Sequence, residues 1–173
     1  MIMRKKTTTF TVKYRRRREG KTNYKKRLEL LKGRKDRLVI RKTNTQVILQ
    51  IVRYSPDGDK VLVTVNSKEL AGKGWKHSFK NTPAVYLAGM LVARKAKEKK
   101  IGSAIVDLGL HTPLKGSRLY AAVKGAVDAG LKIPVSEEVY PSEERIKGSH
   151  ISGYLEKHKS ISEDFEKLKV ELS

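Results

Sequence analysis

The chain has 173 residues and no cysteine, and its 39 Lys and Arg against 18 Asp and Glu give a formal charge of +21 and a pI near 10.2. That length supports one domain with a core plus extensions. The missing thiol excludes disulfides, thiolate zinc sites and a cysteine nucleophile, and no apolar run approaches the roughly 18–20 residues of a membrane span. So large an excess of cations asks for a polyanionic partner, nucleic acid ahead of an acidic membrane. The charge is uneven: residues 1–42 carry 18 basic and 3 acidic side chains, whereas residues 135–173 carry 6 and 9.

The opening "MIMRKKTTTF" has no apolar segment after its charges and is no secretory signal. Residues 1–23 read as a basic, extended arm. In "YRRRREGKTNYKKR" (14–27), eight of fourteen residues are Lys or Arg and Glu19 is the only acid. No apolar period lets this stretch bury a face, so something anionic has to hold it. Tyr14 and Tyr24 bracket the charge. Thr22 or Asn23 can cap a short helix through "YKKRLELLKG", which Gly33 stops and which Leu28, Leu30 and Leu31 give one narrow apolar edge.

Three strands follow. "RLVIRK" (37–42) and "QVILQIVR" (46–53) are β-branched runs joined by "TNT", and "KVLVTVN" (60–66) places Val61, Val63 and Val65 on one face after the turn "SPDGD". An antiparallel meander is the simplest arrangement. Thr82 is then expected to cap a helix with Pro83 at its first position, running through "PAVYLAGMLVARKAKEKK" to Gly102. "SAIVDLGL" (103–110) reads as a strand covered on both faces, and Ser117 opens a second helix whose stripe is Leu119, Val123, Ala126 and Val127, ended by Gly130 and Pro134. The fold class is therefore α/β: a mixed sheet, a meander followed by a strand-helix unit, with helices packed on it. It divides into the arm 1–23, a globular domain 24–134 and an acidic extension 135–173. The extension ends in a short helix with a capping box from Ser160 to Glu163 and an edge of Ile161, Phe165, Leu168 and Leu172, expected to dock on its own domain.

Enzyme chemistry finds little support. "GLHTPLKGS" (109–117) lies where phosphate loops lie, but Leu114 stands in place of the second glycine of a Walker A loop, and Gly116 where its Ser or Thr belongs. A two-metal nuclease needs several converging carboxylates. Residues 37–56 contain none, so Asp107 is read as a structural acid bonding loop amides or an arginine. The four histidines show no ligand spacing; they read as surface or loop residues, His77 and His111 with possible contact to RNA. No metal, cofactor, membrane or small-molecule substrate is expected. What remains is a surface for phosphates and bases, made of the arm, Arg34, Lys35, Arg37, Arg41, Lys42 and Asn44 around the first hairpin, and Lys73, Lys76 and Lys80 around the only tryptophan, Trp75. Trp75 fits equally a plug beneath its loop and a ring that stacks on a base. Lys115, Gly116, Ser117 and Arg118, with the first amides of the second helix, offer a further phosphate-facing group or an ordinary capped helix start.

"YRRRREGKTNYKKRLELLKGRKDRLVIRKTN" resembles the N-terminal signature of the large-subunit ribosomal protein family that binds 5S rRNA, the L-eighteen family. "GSRLYAAVKGAVDAGLKIP" and "PSEERIKGSHI" resemble its archaeal and eukaryotic branch, and the short acidic tail suggests the archaeal form. The resemblance covers nearly all of residues 10–155. It implies a structural, cytoplasmic protein that attaches 5S rRNA to the 23S rRNA of the large subunit in the central protuberance, beside the other 5S-binding ribosomal protein. Carried over by motif, Arg15, Arg16, Arg17, Arg18, Lys21, Tyr24, Lys25 and Arg27 should lie on rRNA. Arg37, Arg41, Lys42 and Asn44 match the family's first strand and turn, and residues 115–118 its loop before the second helix. The alternatives are an RNA-processing enzyme and a generic polyanion binder using the same surface.

Overall fold

The computed structural model describes residues 11–155 and 158–172. Residues 1–10 of the expected arm lie outside that range. Four strands form one sheet in the order β3-β2-β1-β4: β1 (Arg37–Lys42), β2 (Val47–Arg53), β3 (Lys60–Asn66) and β4 (Ile105–Asp107). β1 pairs antiparallel with β2, β2 antiparallel with β3, and β1 parallel with β4, so the meander and the mixed sheet are both present. β4 is shorter than the run 103–110 because the chain turns away at Gly109, whose φ is 59°.

The alternation of side chains gives each face of the sheet its own chemistry. Leu38, Ile40, Val47, Leu49, Ile51, Val63 and Val65 point to the core and are at most 4% exposed. Against them lies α3 (Thr82–Glu98), which is buried from Pro83 to Ala93 because it has the sheet on one side and helices on the other. α4 (Arg118–Asp128) crosses it, and α7 (Ile161–Leu172) docks on it through Ile161, Phe165, Leu168 and Leu172, all at most 5% exposed. The C-terminal helix thus takes its own domain as its target. α3 is capped by Asn81 rather than Thr82: the Asn81 side chain accepts from the Ala84 amide at 2.9 Å, which moves Pro83 to the second helical position. Ser160, expected to cap toward Glu163, has its hydroxyl on Asp164 Oδ2 at 3.3 Å. A 3₁₀ turn at Ser67–Lys73 follows β3, and another at Glu137–Val139 precedes the short helices α5 (Glu143–Lys147) and α6 (Ser149–Ser152).

The arginine run is not extended. Arg15–Arg18 closes one helical turn, α1; Gly20 then reverses the chain at φ 64° and Asn23 caps α2 (Tyr24–Lys32) by accepting from the Lys25 and Lys26 amides. Like charges in adjacent turns oppose such a helix. Two contacts offset them: the Tyr14 and Tyr24 rings meet with centroids 5.2 Å apart, and Arg16 Nε donates to Thr22 Oγ1 at 2.9 Å.

Candidate nucleic-acid interface

The other face of the sheet is where the basic residues gather. Register aligns Val61, Val52, Arg37 and Ile105 in one row across all four strands, and Thr64, Gln50, Val39 and Asp107 in the next; the register shift at Ile51/Val52 turns Val61, expected on the face of Val63 and Val65, onto this one. Above these rows stands α2. It buries none of its residues, Leu28 remains 59% exposed, and between α2 and the sheet an open groove of about 1180 Å³ is left.

A chain of charges crosses this face. Arg27 on α2 grips Asp59 with both guanidinium nitrogens, at 2.7 and 2.8 Å. Asp59 also accepts from Arg37 at 2.6 Å, and Arg37 reaches Asp107 at 2.9 Å. Asp107 then receives Arg41 at 3.3 Å and the Gly109 amide at 2.8 Å. The expectation that Asp107 is a structural acid is met on both counts, an arginine and a loop amide. Arg37 is the correction. Its side chain is 3% exposed between two carboxylates, so it is part of the scaffold and presents nothing to an RNA.

The Asp59 carboxyl is held below the usual carboxylate range, first by its hydrogen bonds to Arg27 and further by Arg37, with partial burial opposing. A carboxylate depressed in the fold adds stability that is complete above its unfolded value, about 4, and is lost as pH falls through the lower folded value. Acidification below about pH 4 should therefore release α2 from the sheet. At neutral pH, Asp59→Asn should lower the hydrogen-exchange protection of α2 amides about tenfold, the equivalent of one charge-assisted bond. Unchanged protection would mean that something else fastens the helix.

The remaining expected contacts divide by exposure. Arg15, Arg16, Arg17, Arg18, Lys21, Lys25, Arg34, Lys35, Lys42 and Asn44 are exposed, with Asn44 at the tip of the β1–β2 turn that Thr43 and Gln46 close. Tyr24 and Arg27 are partly covered. Lys76 and Lys80 are exposed, and Arg118 donates to the Lys80 carbonyl at 2.9 Å, bringing the starts of α3 and α4 together. Lys115 is exposed and pairs with Glu138 at 3.2 Å; Gly116 donates its amide to the Val139 carbonyl, and the Ser117 hydroxyl is buried without a partner, so the loop points its lysine outward and its Ser117 inward.

Trp75 resolves to the plug. It is 2% exposed, and its indole N–H donates to the Ser78 carbonyl at 3.2 Å, so no ring face is left for a base. His77 is corrected with it, being 7% exposed. Its Nδ1 lies 2.8 Å from His158 Nδ1 and its Nε2 3.0 Å from Asp164, which stitches the loop to the C-terminal segment. Residue spacing could not show this, because the partners lie more than 80 positions away. His111 accepts the Lys42 amide on Nε2 at 3.4 Å. Burial, with Lys42 and Arg41 nearby, keeps its ring below the ordinary histidine value and so favours the neutral, accepting form.

A family model described as "Ribosomal large subunit proteins 60S L5, and 50S L18" matches residues 8–102 and 95–136. The large ribosomal subunit protein uL18 of Korarchaeum cryptofilum is 51% identical over 148 residues, covering 86% of this chain and 76% of that protein. The protein of the same name from Thermofilum pendens is 48% identical over 160 residues, covering 92% and 82%.

Proposed function

Because the chain belongs to the family of large-subunit ribosomal proteins that takes in 60S L5 and 50S L18, we propose that it binds 5S rRNA and joins it to 23S rRNA in the central protuberance. It is a structural protein of the large ribosomal subunit and not an enzyme, as its relatives are named. The neighbouring 5S-binding ribosomal protein is the expected protein partner. The observation that carries the reading is the state of the charges. Arg17, Arg18, Lys25, Arg34 and Lys35 are exposed, while Asp59 and Asp107 are occupied by arginines. The surface therefore offers net positive charge, and the acid that a nuclease would use is already neutralised in pairs. Arg17 and Arg18 lie on the short turn α1, Lys25 on α2, and Arg34 and Lys35 just after it, so one stretch of chain supplies all five to a polyphosphate backbone.

In a salt titration with folded 5S rRNA, the full chain should bind with a steep log–log slope and random RNA should compete poorly. Replacing Arg15, Arg16, Arg17 and Arg18 together by alanine removes up to four phosphate contacts and should reduce the slope by about 3. Equal affinity for 5S and random RNA would leave only a generic polyanion binder.

A further inference from the structure

We propose that the groove between α2 and the sheet receives the base of an unpaired RNA nucleotide, while cations on α1 and α2 hold its flanking phosphates; this deepens the 5S rRNA reading and rests on it. The groove's chemistry changes from rim to floor. Arg16, Lys21 and Lys26 stand along the rim. Along the floor, Val61 is 51% exposed and shares its row with Val52, Ile105 and Arg37, whose guanidinium is taken up by Asp59 and Asp107, and Leu30 also lines the groove. Of the three acids lining it, Asp59 and Asp107 are engaged by Arg27, Arg37 and Arg41, and Glu29 is exposed to solvent on α2.

Exposed cations beside a floor whose own charges are paired and whose most exposed apolar residue is Val61 fit a ligand that is anionic at its ends and flat and uncharged between them. An unpaired nucleotide in a strand is such a ligand. A duplex is not: its bases are stacked inside, so it would meet the rim with phosphates and leave the floor empty. The volume of about 1180 Å³ exceeds the roughly 300–1,000 Å³ usual for small-molecule pockets, so one or two bases fit without rearranging the sheet. Gln50 supplies recognition. Its amide sits in the second row and donates to Thr64 Oγ1 at 3.3 Å, a long bond that a base edge can replace with both a donor and an acceptor.

The test separates uncharged from charged contacts. Val61→Trp fills the groove from an exposed position on the edge strand β3, and Gln50→Ala removes the amide. Each is titrated with folded 5S rRNA at several salt concentrations, with thermal melts to show that the fold is kept. Val61→Trp should weaken binding about tenfold at every salt concentration, in keeping with the loss of one stacked or enclosed base, leaving the log–log slope as in the parent. Gln50→Ala should weaken it less, again without changing the slope. Unchanged affinity in Val61→Trp, or a reduced slope, overturns the proposal. The absence of cysteine allows a second measurement: Val61→Cys carries a photoreactive label at a unique site. Crosslinks should fall on unpaired nucleotides of 5S rRNA; crosslinks confined to duplex, or none in a complex that still forms, overturn it. A parent chain that does not distinguish 5S from random RNA fails the broader reading instead, which the groove variants leave untouched.

Discussion

Gly125→Ala should destabilise the fold by about 3 kcal/mol, although alanine is the better helix former. At Gly125, a Cβ would lie 2.1 Å from the Tyr86 carbonyl oxygen; at Gly89 it would lie 2.1 Å from that of Ala122. Each glycine thus seats itself against the backbone of the opposite helix where α3 and α4 cross. No rotamer relieves such a contact, since the obstacle is main chain on both sides. The helices must separate, and α3 also carries the sheet and α7. A helix-propensity gain of about 1 kcal/mol is outweighed by an overpacking cost at or above the usual 1–3 kcal/mol. In a thermal melt, Gly125→Ala should lower Tm by about 10 °C, and Gly89→Ala by a similar amount. The two lie at one helix crossing, so a separation forced by either also relieves the other and the double variant should cost less than the sum. A neutral or stabilising Gly125→Ala would mean that the crossing is looser than described.

Asp107→Ala should cost about 3–5 kcal/mol in urea unfolding, the usual penalty for breaking a buried ion pair from one side. Arg37 would keep its charge at 3% side-chain exposure with only Asp59 left to neutralise it, and its Nε already lacks a partner. Arg41 and the Gly109 amide would lose an acceptor as well. The diagnostic comparison is Arg37→Met combined with Asp107→Leu, which removes both charges and fills similar space. It should recover much of the loss, because the penalty comes from the stranded charge rather than from the absent bond. A cost below about 1 kcal/mol for Asp107→Ala would show that water reaches Arg37 and that the network is not closed.

The elements that were legible in the sequence are those whose cause is local. β-branched runs with short turns marked β1 to β3, and the apolar spacing of Ile161, Phe165, Leu168 and Leu172 marked a helix that needs a surface. Asn81 and Thr82 are both acceptable caps in isolation, and only the seating of α3 on the sheet separates them. The helical turn at Arg15–Arg18 was hidden because its support comes from Tyr24 and Thr22, beyond the run itself. At the interface, exposure was the quantity the sequence withheld. Arg37 and Arg41 look alike along β1, four residues apart on one face. Arg37 is enclosed by Asp59 and Asp107, whereas the Arg41 side chain is 41% exposed. For Trp75 the sequence left plug and stacking ring open, and His77 reads as a loop residue because the groups that bond it, His158 and Asp164, arrive from the far end of the chain.

The strand order has a consequence for the chain as it is made. β1 obtains one neighbour from the hairpin almost at once, but its other edge waits for β4, roughly fifty residues later, a delay of several seconds at ordinary synthesis rates. Through that interval a nascent chain displays an unpaired edge to every other nascent chain nearby. Arg37 by then has Asp59, but Arg41 and Lys42 lie on that strand with no carboxylate yet available from Asp107, so two such edges repel each other instead of pairing. The arginine that later ties β1 to β4 thus first opposes the pairing of unfinished copies.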